Sequence, residues 1–489
     1  MRLPSLIISA LFIVAAVNSF AADLPRSTPE AQGVPSAALL SLVESLDQID
    51  SMHSLMIVRH GHVIAEGWWT PYSAQSPHVL WSLSKSFTST AAGLAISEGK
   101  MGLDDEMLKA FPEDAPAEPG ANLKLMRVSD LLRMQTGHQQ EPKRLPDQAW
   151  TKTFLNQPVP FKPGTHFLYN SMGTYMVSAM VQKATGKTVL EYLQPRLFEP
   201  LGIEKPTWEL SPQGICAGGW GLAIRTEDIA KFGQLYLQKG NWNGKQLVPE
   251  TWVAAATARQ TSNGSNPKSD WDQGYGYQFW RCRNNAFRGD GAFGQYCVVM
   301  PDQDMVLVIT SSLKNMQNPL DLVWEKILPA CKPAALPPDN ETNARLVTLL
   351  KNATVRPQEH TATPAKVFSK SYTFAANDRK LESVKWSGEG KDRSTKLAIR
   401  LNGVDQEIMC GRGQWVKGRG AWGVLKDQPI AASGGWTTDD TFKAKVCFYE
   451  TTSTVTMTLK FSGNEVQFGT EMNVSFGPSK DVPLVGKAE

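Results

Sequence analysis

Apolar positions recur along this chain with two different periods, and the change of period divides it. In residues 54–69, SLMIVRHGHVIAEGWW, two apolar arms surround Gly61, which predicts a β-hairpin. Downstream, apolar residues return at helical spacing. MVSAMVQKATGK (176–187) and EDIAKFGQLYLQKG (227–240) each run into the glycine that commonly closes a helix. Strand-like runs come back at 295–300, QYCVVM, and 305–310, MVLVIT, joined by PDQD, and LDLVWEKILPA (320–330) reads as a further helix. Strands at both ends of a helical stretch predict an α+β domain whose N-terminal and C-terminal strands share one sheet.

From Lys332 the texture changes. KPAALPPDNETN (332–343) and VRPQEHTATPAK (355–366) are proline-rich and polar, as linkers are, and flank a short helical piece, ARLVTLLKN. Beyond 367 the chain alternates apolar and polar residues, with Asn402-Gly403 and Ser462-Gly463 at turns, which predicts an all-β barrel or sandwich. At the other end, Arg2 precedes an apolar stretch from Leu6 to Val17, followed by Ser19-Phe20-Ala21. That is a secretory signal pattern, too short for a comfortable membrane span. The expected organisation is a signal peptide at 1–21, a first domain at 22–331, a linker at 332–366 and a β-rich domain at 367–489. The expected location is periplasmic or secreted, with no stable membrane span after cleavage.

Composition narrows the partners. The 489 residues are 42% hydrophobic and 20% charged with a net charge of +3, and no long basic run points to nucleic acid or an anionic membrane. Six cysteines suit an oxidising compartment, and the pair in the last part of the chain, Cys410 and Cys447, is the expected disulfide. No CxxC or HExxH is present, so a metal site is not expected. GDGAFG (289–294) fits a dinucleotide fingerprint in letters only, because a strand and not a helix follows it.

The chemistry lies elsewhere. Ser82 and Lys85, in LWSLSKSF, are spaced to meet on one face of a helix. A serine hydroxyl needs a base within hydrogen-bond reach, and a desolvated lysine near a helix N-terminus has a lowered pKa and can be that base. The same spacing begins at Ser97, Ser265 and Ser311, and a serine cap with a surface lysine looks identical in sequence; only Ser82 both follows a strand pair and opens a long helical run. Tyr169, in FLYNSMG just before a helical pattern, can shuttle a proton if a lysine is near, although core packing explains a tyrosine equally well.

Taken together, Ser-x-x-Lys, Tyr169-Asn170-Ser171 and the glycine-rich strand resemble the penicillin-recognising serine hydrolases of the class C β-lactamase type, which include D-alanyl-D-alanine carboxypeptidases, esterases and 6-aminohexanoate-oligomer hydrolases. GKMGLDDEM, DLLRMQTGH, LFEPLGI and GGWGLAIRTEDIAKFGQLYLQKG extend the resemblance over roughly residues 30–330. It implies an antiparallel sheet flanked by helices, with a helical subdomain. It also implies Ser82 as nucleophile, Lys85 as its proton acceptor, Tyr169 as general acid/base, and no metal or organic cofactor. Ser171 falls where the family often has asparagine. In the third motif, Ala292-Phe293-Gly294 align with the family's Lys/His-Thr/Ser-Gly, so Ala292 stands where members that bind a substrate carboxylate carry a cation. The backbone N–H groups of Ser82 and of the strand near Phe293–Gly294 are the implied oxyanion donors; a shifted register would place Arg288 at the cation position instead. The departure favours an ester or amide of a small-molecule or peptide-like substrate over a β-lactam or a D-Ala-D-Ala peptide. The rival expectation is a catalytically idle sensor or a cell-wall-binding protein, suggested by Trp386, Trp415, Trp422 and Trp436 in the tail.

Overall fold

The computed structural model describes residues 23–145, 147–364, 370–390 and 394–489. The expected signal peptide lies outside the described residues. Six antiparallel strands form the first sheet, in the order His62–Trp68, Met52–Arg59, Met305–Ser311, Gln295–Met300, Phe287–Gly291, Trp280–Arg281. N-terminal and C-terminal strands therefore share it, as the pattern predicts. The hairpin turns at His60-Gly61, where both residues have positive φ (50° and 76°), the geometry that matches strand twist.

Strand Met52–Arg59 is buried along its whole length because both faces of the sheet are covered. Met56 and Val58 face a core built with the helices Ser84–Ser97, Ser171–Thr185 and Thr226–Leu237. Leu55 and Ile57 face the opposite core, filled by the helices Ser36–Asp47, Gln317–Lys326 and Asn340–Lys351. The last of these lies inside the stretch read as linker, where Leu346 and Leu350 are fully packed into that core.

Ten strands between Ser371 and Ala488 form the second sheet, which a parallel bridge between Gly411 and Ser433 helps to close into a barrel. Trp386 and Trp436 sit inside it and Trp422 packs against its core, while Trp415 donates its indole N–H to the Val355 carbonyl (2.9 Å). The tryptophans that suggested a cell-wall-binding tail thus contribute to packing of the barrel and its approach. The expected Cys410–Cys447 disulfide is absent: all six cysteines are free. Cys410 points into the barrel core, whereas Cys447 points out of the wall and donates its thiol to the Tyr72 hydroxyl (3.4 Å). Two residues on opposite faces of a barrel wall cannot be bridged. Among the described residues, no helix is long and apolar enough to cross a membrane.

Candidate active site

Ser82 does not open the long helix. It sits in the 3-10 turn Trp81–Leu83, immediately before the helix Ser84–Ser97, and Trp81 has a positive φ of 48°. Such a backbone is unfavourable for a bulky residue and persists only where its surroundings hold it. Here a short strand, His78–Val79, pairs with Leu222–Ile224, and the Leu80 N–H donates to the Leu222 carbonyl (2.8 Å). The Leu222 N–H donates in turn to the Ser84 hydroxyl (3.1 Å). The helix is polar yet buried. Ser86 and Ser89 donate to the carbonyls of Gln278 (2.9 Å) and Tyr277 (2.7 Å), and Thr88 to that of Gly218 (2.9 Å), so its hydroxyls tie it to its neighbours on several sides.

Lys85 projects from the first turn and is only 1% exposed. Its ammonium donates to the Ser82 hydroxyl (3.0 Å), the Ser171 hydroxyl (3.1 Å) and the Gly219 carbonyl (2.7 Å). Burial lowers its pKa from 10.5 to about 7, against the opposing pull of Glu141 and Asp290. Three neutral acceptors hold the nitrogen in place without the close carboxylate that would lock the charge on it.

Tyr169 lies 4.8 Å from the Lys85 nitrogen, measured to the ring centre, and its ring stacks on Trp280 (5.3 Å, 25°). Its hydroxyl hydrogen-bonds with Ser82, and burial pushes its pKa well above the ordinary tyrosine value despite that bond. The phenol therefore stays protonated at neutral pH. Asn170 caps the following helix, its side-chain oxygen accepting from the Gly173 N–H (2.9 Å), which sets Ser171 at the helix start facing Lys85. The Ser171 N–H donates to Glu141 (2.8 Å). Gly219 admits this approach, since a Cβ there would lie 2.8 Å from the Ser171 carbonyl and 3.4 Å from the Lys85 nitrogen.

The third segment is a tight β-hairpin with strands on both sides, which agrees with the rejection of GDGAFG as a nucleotide loop. Ala292 lines the cleft beside Ser82. Phe293 turns its ring toward Trp81 (6.0 Å). Gly294 has φ 89°, and its N–H closes the turn on the Gly291 carbonyl (3.1 Å), so that donor is already engaged. Gln295 donates to the carbonyls of Ala292 (2.9 Å) and Ser311 (2.8 Å) and accepts from the Ser311 N–H (3.1 Å), while the Ser311 hydroxyl bonds the Phe293 and Gly294 carbonyls. The turn is fixed from behind. Arg288, the cation of the shifted register, has no exposed surface. It pairs with Asp290 (2.7 Å), lies over Trp271 (4.4 Å) and donates to the Asp270 carbonyl (2.7 Å).

These groups line a cleft of about 740 Å³. Several of its residues escape a sequence reading: Glu141, Arg144, Trp220, Trp271, Trp280, Asp290, Met316 and, from the barrel, Phe476. Asp290 had a signal, because it shares a strand face with Arg288, two residues away. Trp280 comes from the short outer strand of the sheet, and the others are brought in by loops whose positions no local pattern encodes.

A half-buried serine is bonded to a buried lysine, with a tyrosine beside both and the glycine-rich hairpin facing them. The group is set against a sheet covered by helices on both faces, the arrangement of a serine hydrolase fold. Residues 26–330 match the Beta-lactamase family, and the protein belongs to it. It is 24% identical over 321 residues to a 6-aminohexanoate-dimer hydrolase of Paenarthrobacter ureafaciens, covering 60% of this chain and 82% of that protein. It is 22% identical over 318 residues to a beta-lactamase of Escherichia coli K12, covering 52% and 80%. A solved Bacillus anthracis protein, proposed to be a 6-aminohexanoate-dimer hydrolase, shares the fold with a TM-score of 0.52 at 20% identity, covering 63% of this chain and 86% of that one.

Proposed function

We propose that this protein is an exported hydrolase of carboxylic esters or amides that works through an acyl-enzyme on Ser82. The supporting observation is the Lys85 nitrogen, 3.0 Å from the Ser82 hydroxyl with its pKa lowered to about 7 by burial. At neutral pH much of this lysine is uncharged and can take the serine proton as the hydroxyl attacks the carbonyl carbon. The backbone N–H groups of Ser82 and Ala292 receive the developing oxyanion. Tyr169, protonated at rest, gives its proton to the leaving oxygen or nitrogen. The resulting tyrosinate recovers the proton from Lys85, or from the water that then cleaves the acyl-enzyme. Ser171 keeps the lysine aimed.

The strand face beside the serine offers Asp290 and Ala292, with Arg288 sealed behind. Because Arg288 is buried and its charge is taken up by Asp290 (2.7 Å), this strand offers no free cation for a carboxylate next to the reacting carbonyl, so esters and amides without one fit better than penicillins or D-Ala-D-Ala peptides. The test is incubation with an aryl fluorophosphonate followed by peptide mass mapping, alongside turnover of a short-chain aryl ester. Modification at Ser82 and ester turnover lost in Ser82→Ala support the reading. An unmodified Ser82 with wild-type turnover retained in Ser82→Ala overturns it.

A further inference from the structure

The barrel reaches into the catalytic cleft. Its turn at 448–454 grips the segment that leads to Ser82: the Glu450 carbonyl accepts from the Val79 N–H (2.9 Å), the Thr452 hydroxyl accepts from the Trp81 indole (3.1 Å), and the Thr451 carbonyl accepts from the Tyr72 hydroxyl (3.4 Å). A second barrel loop, 473–483, carries Phe476. The two loops are tied together by Asn473, whose N–H donates to the Thr454 carbonyl (3.0 Å) and whose side chain bonds the Thr452 carbonyl (3.0 Å) and the Thr454 N–H (2.8 Å). The Met472 N–H on the Ser479 carbonyl (2.7 Å) closes the loop base. The base of the loop is thus fixed, and Phe476, three residues beyond Asn473, is 75% exposed and lines the cleft.

Its neighbours show what the position suits. Phe476 meets Trp81 edge-on (5.4 Å) and Phe293 at a tilt (4.9 Å), while Trp81 and Phe293 themselves meet edge to face (6.0 Å). Trp81 precedes Ser82 and Phe293 follows Ala292, so two of the three rings are one residue from the proposed oxyanion donors. Tyr169, which serves the leaving group, leans instead on Trp280. One aromatic group therefore stands with the residue proposed to protonate the leaving group, and the Phe476 cluster stands apart from it, beside the proposed oxyanion donors. A large exposed aromatic beside a polar reaction centre is matched by an apolar, preferably flat, group on the ligand.

We propose that Phe476 is a specificity-determining residue by which the C-terminal barrel completes the substrate cleft, selecting esters or amides whose acyl part carries an aromatic or bulky apolar group. This rests on the acyl-enzyme reading of Ser82. The experiment compares 4-nitrophenyl acetate with 4-nitrophenyl phenylacetate, which share a leaving group, for the wild type, Phe476→Ala and Phe476→Tyr in the full chain. Phe476→Ala raises KM for the phenylacetyl ester by about tenfold, leaves kcat for both esters and KM for the acetyl ester within about twofold, and Phe476→Tyr restores the wild-type ratio, as loss and recovery of one aromatic contact would give. Equal changes for the two esters, or no change for either, overturn the proposal. Fluorophosphonate labelling of Ser82 in the same samples separates the two failures: absent labelling in the wild type counts against the hydrolase reading, whereas intact labelling with indifferent esters counts against Phe476 alone.

Discussion

The Lys85 nitrogen stands 3.0 Å from the Ser82 hydroxyl with three neutral acceptors around it, and burial brings its pKa to about 7. The rate of Ser82 acylation should follow the neutral fraction of this lysine. It is expected to rise with pH and level off above about 7. Lys85→Met should lower kcat/KM on the order of 10²–10⁴-fold, and Lys85→Arg should not rescue it, because a guanidinium keeps its proton. A pH–rate profile on an aryl ester checks both.

The same burial has a consequence for stability. The folded pKa is depressed from 10.5 to about 7, so between those values the unfolded chain binds a proton that the folded chain does not. Stability gains from this group as pH rises through that window, and below about 7 the full cost of burying an ammonium is present. Lys85→Met is expected to abolish this gain and to be at least as stable as the wild type at pH 6. Urea unfolding at pH 6 and pH 9 measures it; a mutant that keeps the wild-type pH dependence would contradict the assignment.

Tyr169→Phe keeps the ring that stacks on Trp280 (5.3 Å) and removes only the hydroxyl bonded to Ser82. The fold should hold while turnover falls on the order of 10²–10⁴-fold, the range for losing a positioned proton donor. Since that hydroxyl also serves deacylation in this scheme, a reactive aryl ester should leave acyl-enzyme accumulated on Ser82. Intact-protein mass spectrometry would show it, and unchanged turnover would remove Tyr169 from the mechanism.

The parts of this site that sequence disclosed are those whose geometry is local. Ser82 and Lys85 are three residues apart, so backbone geometry alone brings them within reach, and Tyr169 and Ser171 stand beside a helix start that Asn170 caps. The same holds for the hairpin at Gly61 and for most barrel strands, whose alternation is their own. Ser82 lies before the helix, not on it, because Trp81 takes a positive φ under contacts from Thr452 and Phe476, nearly four hundred residues away. Phe476, Arg144 and Glu141 enter the cleft on loops, and Arg288 reads as an available cation until the sheet buries it. The cysteine pairing failed for a similar reason: an even count says nothing about which side of a barrel wall each thiol faces.

Arg288 and Asp290 form a buried pair with almost no exposed side-chain surface. Removing one partner leaves the other charge buried without compensation. Asp290→Ala is therefore expected to destabilise the fold by about 3–5 kcal/mol, and Arg288→Met combined with Asp290→Leu to recover most of that loss. Denaturant unfolding of the three variants tests it. If Asp290→Ala proved as stable as the wild type, the pair would have no structural role and Asp290 would be free to act only on substrate.

Cys447 donates its thiol to the Tyr72 hydroxyl where the barrel meets the first domain, and burial pushes its pKa up to about 11. Burial raises Cys410 in the same way, to about 12. Thiolate is the species that oxidises, so both groups should resist disulfide formation in the native state even in an oxidising compartment. Two results are expected: all six cysteines react with Ellman's reagent once the unreduced protein is denatured, and dithiothreitol leaves Tm unchanged. Fewer than six reactive thiols, or a Tm that falls on reduction, would show a disulfide, and a peptide map joining Cys410 to Cys447 would contradict their placement on opposite faces of the barrel wall.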